Sequence, residues 1–134
     1  MSLRRCVRKF RFDHLHILST DPKAIAQYYE RMFGAKAIES VQTDGKPRID
    51  LDLNGLIIFI LKVNAEDNLP ASPPGRYLGL DHFGLVVDNL EETAAELKGK
   101  GAEFVLEPCS PRPGLKMAFI RGPENVRIEL VERS

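Results

Sequence analysis

The stretch that decides the fold is FDHLHILSTDPKAIAQYYERMFGAKAIES, residues 12–40. A related stretch, LDHFGLVVDNLEETAAELKGKGAEFVLEP, occupies residues 80–108. The two align from their Asp-His pairs, Asp13-His14 on Asp81-His82, and one residue is dropped near the helix end, after which Gly-Ala falls on Gly-Ala. Internal self-similarity fixes an architecture more firmly than local propensity does. The sequence therefore predicts two copies of one structural module.

A helix is predicted in each copy from the spacing of its apolar residues, which recur at i, i+3, i+4 and i+7 as in a half-buried helix. The positions are Ile25, Tyr28, Tyr29 and Met32 in the first copy, and Leu90, Thr93, Ala94 and Leu97 in the second. Capping residues mark the ends of both helices. They are Asp21 before Pro22, either Asp88 or Asn89, and the expected stops Gly34 and Gly101.

Each copy opens with a short strand and continues after its helix with three more. In the first copy these three are AKAIESVQ, PRIDLDLN and LIIFILKV, with TDGK and NG as turns; in the second they are AEFVLEP, LKMAFIRG and VRIELVE, joined by SPRPG and GPEN. The plan predicts an α+β fold of two tandem βαβββ modules within a single domain, 1–134. Module one covers about 11–63, a linker about 64–78 and module two about 79–132. We expect two curled mixed sheets, each covered on one face by its helix, around a shared cavity.

The composition narrows the class of partner. Nineteen basic and nineteen acidic residues cancel, which argues against a nucleic acid or a membrane surface as the partner and favours a small-molecule substrate. Cys6 and Cys109 have no disulfide or metal-binding spacing and are expected to be reduced thiols. The basic start MSLRRCVRKFRF lacks the apolar run of a secretory signal, and GLIIFIL is far short of the roughly 20 residues that span a bilayer. We expect a cytoplasmic protein.

Alternation along the strands selects the side chains that face the cavity. His14 and His16 share one face of their strand, opposite Leu15 and Ile17. In the closing strand, Arg127 and Glu129 point inward by the same argument, and His82 repeats the position of His14. An inward carboxylate needs a partner, either Arg127 or a cation. His14, His82 and Glu129 form the mixed nitrogen and oxygen set that binds a divalent metal.

These pieces resemble the vicinal oxygen chelate superfamily, which includes glyoxalase I, methylmalonyl-CoA epimerase, extradiol dioxygenases and the fosfomycin- and bleomycin-resistance proteins. The resemblance covers residues 11–132 and rests on FDHLHILSTD, YYERMFGA, GLDHFGLVVDNLEE and GPENVRIELVE. It implies that the first and last strands of the modules supply metal ligands, here His14, His82 and Glu129. It further implies one divalent ion per site (Zn²⁺, Ni²⁺, Mn²⁺, Co²⁺ or Fe²⁺) and a homodimer, with ligands from one chain or from both.

One ligand position departs from glyoxalase I. Phe59 stands where Glu129 stands in the other module, and glyoxalase I has there a glutamate that also serves in proton transfer. This departure argues against lactoylglutathione lyase activity. His16, a structural histidine, a direct ligand or a general base, is a candidate catalytic residue, as are Asp50 and Asp52, which face either cavity or solvent.

Substrate contacts are predicted from Arg112 and Lys116, on or beside the SPRPGLK loop, and from Phe59; solvated surface is the alternative for the two cations. The leading hypothesis is a metal-dependent lyase, isomerase or epimerase acting on a small oxygen-chelating substrate. An extradiol dioxygenase that uses Fe²⁺ is the second. A non-catalytic protein that binds a drug is the third.

Overall fold

The computed structural model describes residues 9–134. Cys6 and most of the basic start lie outside this range, whereas Cys109 is a free, exposed thiol. The chain forms two compact units, one up to Ala65 and one from Glu66 onward. Among the described residues, no helix has both the length and the apolar character needed to cross a bilayer.

The first unit is a four-stranded sheet with one long helix. Its elements are β1 (His14–Ser19), α1 (Pro22–Phe33), β2 (Lys36–Val41), β3 (Pro47–Leu53) and β4 (Leu56–Lys62). The strand order is β1-β4-β3-β2. β1 runs parallel to β4, and the other neighbours are antiparallel.

The second unit repeats this plan. Its elements are β5 (Phe83–Val86), α2 (Leu90–Gly99), β6 (Glu103–Arg112), β7 (Leu115–Arg121) and β8 (Arg127–Arg133). The strand order is β5-β8-β7-β6, and β5 is the parallel neighbour of β8. Two mixed sheets with one long helix each confirm the predicted α+β fold of two βαβββ modules.

The predicted capping residues explain where the helices begin. The Asp21 carboxylate accepts a hydrogen bond from the Ala24 N–H at 3.2 Å, and the Asn89 side chain accepts one from the Glu92 N–H at 3.1 Å. Each satisfies a donor that the first helical turn leaves unpaired. Gly34 ends α1 in the left-handed conformation, with φ 70°, which suits a residue without a side chain.

Each helix covers one face of its sheet. α1 contacts β3 and β4, and α2 contacts β6, β7 and β8. The side chains at these contacts are buried and mostly apolar, and they include Ile25, Tyr29, Leu51, Ile58 and Ile60 in the first unit and Leu90, Leu97, Ile120, Ile128 and Leu130 in the second. Among residues 9–134, neither unit has a helix of its own on the opposite face of its sheet, and this helix-free face carries the polar side chains that the alternation predicted.

One turn is shorter than predicted. SPRPG was expected to separate two strands, but β6 continues through Arg112 and the turn is reduced to the residues around Gly114, with φ 79°. The register of β6 on β7 shifts at Leu106, Cys109 and Arg112. Such bulges on an edge strand tolerate proline, because its missing N–H faces away from the ladder.

Candidate functional site

A histidine and a glutamate meet on the helix-free face of the second sheet. His82 Nε2 lies 3.1 Å from Glu129 Oε1. The register of β5 on β8 puts Gly84 opposite Glu129, and a Cβ at Gly84 would lie 3.5 Å from the same carboxylate oxygen. The missing side chain at Gly84 leaves the space beside the carboxylate open.

A second set of contacts orients His82 from behind. Its Nδ1 lies 2.7 Å from Asp81 Oδ2, and Arg127 Nη1 donates to both oxygens of Asp81 at 3.0 Å. The Arg127 guanidinium stacks 4.8 Å above the Phe119 ring, whose centroid also lies 4.8 Å from that of His82. The hydrogen bond from His82, with Arg127 and Arg76 nearby, lowers the pKa of Asp81. In the tautomer with the proton on Nδ1, His82 donates to Asp81 and its unprotonated Nε2 faces Glu129.

The donors of this pair fit a divalent metal. Two ligand atoms held at about 2.1 Å from one cation lie roughly 3 Å apart, and the His82 and Glu129 atoms are separated by 3.1 Å. The carboxylate behind the histidine is the usual support for a metal-binding imidazole. Over residues 9–134, no three His, Cys, Asp or Glu side chains come together as a metal-binding group. The assignment of His14, His82 and Glu129 as metal ligands stays a prediction.

Among residues 9–134, no arginine contacts the aspartate of the equivalent Asp-His pair in the first unit. His14 Nδ1 lies 2.6 Å from Asp13 Oδ2, but the Asp13 side chain is 84% exposed, against 31% for Asp81. Ile57 lies opposite His14 in the β1–β4 register, at the position that Arg127 holds in the second sheet. The His14 ring instead packs against Phe59, with the ring centroids 4.3 Å apart.

His16 lies on the same helix-free face as His14. Its ring centroid is 5.1 Å from that of His14 and 5.5 Å from that of Phe59. Burial, followed by the neighbouring His14 and the Arg48 guanidinium, lowers the pKa of His16, and Asp50 acts in the opposite direction. The neutral imidazole is therefore favoured at this position.

The two aspartates predicted as proton-transfer groups occupy different settings. Both oxygens of Asp50 accept hydrogen bonds from Arg48, at 2.8 and 3.1 Å. Arg48 in turn stacks 4.3 Å above the Phe59 ring, so Asp50 belongs to the same face as the histidines. Asp52 accepts a hydrogen bond from the Gly55 N–H at 2.8 Å and thereby caps the β3–β4 turn. Their catalytic roles stay predictions.

The predicted cations of substrate binding lie elsewhere on the second sheet. Arg112 is exposed at the end of β6. Lys116 lies on the same face of β7 as the buried Ala118, two residues along the strand. It contacts Glu91 of α2, with Nζ and Oε1 3.3 Å apart. Lys116 therefore faces the helix side of the sheet, away from His82, and its predicted contact with substrate is not tested by this placement.

Sequence reasoning missed three residues of the two faces, Asp81, Arg127 and Arg48. The repeated Asp-His dipeptide was a visible signal for Asp81, because a carboxylate beside a ligand-type histidine is a common supporting group. Arg127 was placed inward but was considered as a partner of Glu129 rather than of Asp81. The partner depends on side-chain positions that strand alternation does not supply.

Comparisons with known proteins agree with the fold and the repeat. A 56-residue segment is 38% identical to a protein from Arabidopsis thaliana described as a probable lactoylglutathione lyase, chloroplastic; the segment is 41% of this chain and only 16% of that protein. The glyoxalase family protein of Enterococcus faecalis has a similar structure, with 26% identity and a TM-score of 0.74 over 92% of this chain and 98% of that one.

A fosfomycin resistance protein from Listeria monocytogenes shares the fold at 16% identity, with a TM-score of 0.69 over 92% of this chain and 93% of that one. The family model described as the Glyoxalase/Bleomycin resistance protein/Dioxygenase superfamily matches residues 11–130. That match includes both modules, both Asp-His pairs and Glu129. The chain therefore belongs to the Glyoxalase/Bleomycin resistance protein/Dioxygenase superfamily.

Proposed function

We propose that this protein is a divalent-metal-dependent enzyme that moves a proton on a small substrate with two neighbouring oxygens, as a lyase, isomerase or epimerase does. One observation carries the proposal. His82 Nε2 and Glu129 Oε1 are two donor atoms 3.1 Å apart, and the Asp81 carboxylate lies within hydrogen-bonding distance of the other imidazole nitrogen, Nδ1. A protein that only encloses a drug in an apolar cavity does not need this arrangement.

His14, His82 and Glu129 are the proposed metal ligands. A bound divalent ion supplies Lewis acidity, which stabilises negative charge on the substrate oxygens. In this proposal Asp81 holds the His82 proton on Nδ1 so that Nε2 binds the ion, and the more exposed Asp13 does the same for His14 more weakly. The ion is one of Zn²⁺, Ni²⁺, Mn²⁺, Co²⁺ and Fe²⁺, since imidazole and carboxylate together suit this group.

The helix-free face of the first sheet carries the groups that we propose for substrate binding and proton transfer. Phe59 and Arg48 form a stacked apolar and cationic surface beside the histidines, suited to a substrate with a flat or anionic part. Asp50 shares this face, and its oxygens accept from Arg48. Asp50 is therefore a better-placed candidate for proton transfer than Asp52, which caps a turn.

Metal content and solvent exchange test the proposal together. Protein loaded separately with each candidate ion is expected to hold one equivalent per chain, and His14→Ala, His82→Ala and Glu129→Ala to lose it. Incorporation of solvent deuterium into a 2-oxo or thioester substrate, without O₂ uptake, is the expected activity. O₂ uptake with a catechol and Fe²⁺ would replace the proposal with a dioxygenase. Absence of stoichiometric metal under every loading condition would replace it with a binding protein.

The assembly proposed with this function is a homodimer, as is frequent in the superfamily. Sedimentation at micromolar concentration is expected to show about twice the 15.1 kDa chain mass. A single species of chain mass would contradict the dimer and would leave the metal proposal to its own test.

A further inference from the structure

The two modules carry different residues at one pair of facing positions. β1 and β4 place His16 opposite Phe59. β5 and β8 place Gly84 opposite Glu129 at the corresponding point. Module two therefore has a metal-type donor on its last strand and no side chain on its first. Module one has the donor on its first strand and an apolar ring on its last.

We propose that His16 is a metal ligand, which replaces in module one the carboxylate that Phe59 excludes. The inference rests on the proposed metal function and adds a fourth protein ligand to it. In module two, Gly84 leaves the space beside the Glu129 carboxylate open, and a Cβ there would stand 3.5 Å from Oε1. In module one the donor comes from the opposite member of the pair, His16.

The geometry of the two histidines suits a shared ion. His14 and His16 are two residues apart on one strand face, and their ring centroids are separated by 5.1 Å. Two imidazoles bound through nitrogen to one cation have centroids about 4.5 to 5.5 Å apart. Asp13 lies within hydrogen-bonding distance of His14 Nδ1, so Nε2 is the ring nitrogen that we assign to the metal. Among residues 9–134 the structure gives the ring nitrogens of His16 no hydrogen-bond partner, so a ligand can approach them.

Two imidazoles on one strand face favour some divalent metals over others. Imidazole favours Zn²⁺, Ni²⁺, Co²⁺ and Fe²⁺, whereas sites rich in carboxylate and carbonyl oxygen favour Mg²⁺, Ca²⁺ and Mn²⁺. We therefore expect Ni²⁺ or Zn²⁺ to bind this protein more tightly than Mn²⁺. Phe59 cannot act as the base that a glutamate at its position would supply. In this proposal another group must therefore move the proton.

The test is calorimetric titration of the metal-free protein with Ni²⁺. His16→Ala is expected to weaken binding by about 100-fold, at the upper end of what changes around a metal site cost. Leu18→Ala is the matched control, because Leu18 is exposed on the same strand face and carries no donor. The double variant H16G/F59E rebuilds the Gly84–Glu129 pair of module two in module one, and it is expected to restore affinity to within about tenfold of the parent.

A spectroscopic count separates loss of a ligand from loss of structure. Pulsed EPR of the Cu²⁺-loaded protein is expected to report one coordinated imidazole fewer in His16→Ala than in the parent or in Leu18→Ala. Unchanged affinity and an unchanged imidazole count in His16→Ala would overturn this inference alone. If His14→Ala, His82→Ala and Glu129→Ala also left binding unchanged, the proposed metal function would fail with it.

Discussion

The two modules have one backbone plan and two different helix-free faces. In module two the face carries a chain of polar contacts. Arg127 contacts Asp81, which contacts His82. His82 in turn faces Glu129. In module one the face is organised around an aromatic ring, Phe59, with histidine and arginine side chains packed against it. The two modules share a strand register and an apolar core and differ in the side chains of this face. Module two presents an oriented His82–Glu129 pair, and module one presents a stacked aromatic and cationic surface.

The cores should therefore respond alike. Ile60 and Leu130 occupy equivalent positions on the last strands and are 0% and 1% exposed. Ile60→Ala and Leu130→Ala are each expected to lower the free energy of unfolding by about 2–5 kcal/mol, because each leaves a cavity in a packed core. Urea denaturation measures both, and Ile38→Ala, at an exposed position, is the control. A large effect in one module and none in the other would break the equivalence of the cores.

The Asp-His pairs should respond unequally. Asp81→Asn is expected to weaken Ni²⁺ binding by about 10- to 100-fold, because it removes the supporting carboxylate of an oriented imidazole. Asp13→Asn is expected to cost less than about threefold, since a highly exposed carboxylate restrains its histidine weakly. Calorimetric titration of both variants makes the comparison. Equal losses would show that the arginine behind Asp81 adds nothing.

Arg127 should act through Asp81 as a positioning residue. Arg127→Met keeps an apolar contact with Phe119 but removes both hydrogen bonds to Asp81, and we expect about a tenfold loss of Ni²⁺ affinity, at the lower end of such outer contacts. Long-range proton–nitrogen NMR of the metal-free protein should show a mixture of His82 tautomers. Arg76→Met is the control, since Arg76 is 86% exposed and 3.8 Å from Asp81. A single, unchanged tautomer in Arg127→Met would remove this role.

The smallest effect is expected at the glycine of module two. Gly84→Ala adds a Cβ at ordinary contact distance, 3.5 Å, from Glu129, and it should change Ni²⁺ affinity by less than about threefold. Gly84→Leu carries its branched end into the space beside the carboxylate, and it should weaken binding more than alanine does. If the two substitutions cost the same, the open space at Gly84 has no part in placing Glu129.

Much of the architecture was predictable because it rests on local signals that agree. The i, i+3, i+4 and i+7 stripes, the caps at Asp21 and Asn89 and the turn glycines each act over a few residues. The internal repeat then transferred every assignment from one module to the other. The long β6 was not predictable in this way, because its prolines are typical of a turn. They fit into the strand only through its bulged pairing with β7.

The site was predicted in part, for a physical reason. Strand alternation is a property of the backbone, and it placed His82 and Glu129 on one face correctly. The choice of Asp81 over Glu129 as the partner of Arg127 is made by side-chain geometry between residues 46 positions apart in the chain. Such pairings depend on strand register and on rotamers, and neither can be read from residue type and spacing.

The most direct test of the central claim compares the same substitution at the two equivalent positions of the last strands. Ni²⁺ titration of Glu129→Leu and Phe59→Leu asks whether module two supplies a metal ligand where module one supplies a ring. We expect one ion per chain in the parent, loss of binding by more than about 100-fold in Glu129→Leu and a change of less than about threefold in Phe59→Leu. Equal affinities in all three proteins, or no binding by the parent, would contradict a metal centre built on His82 and Glu129.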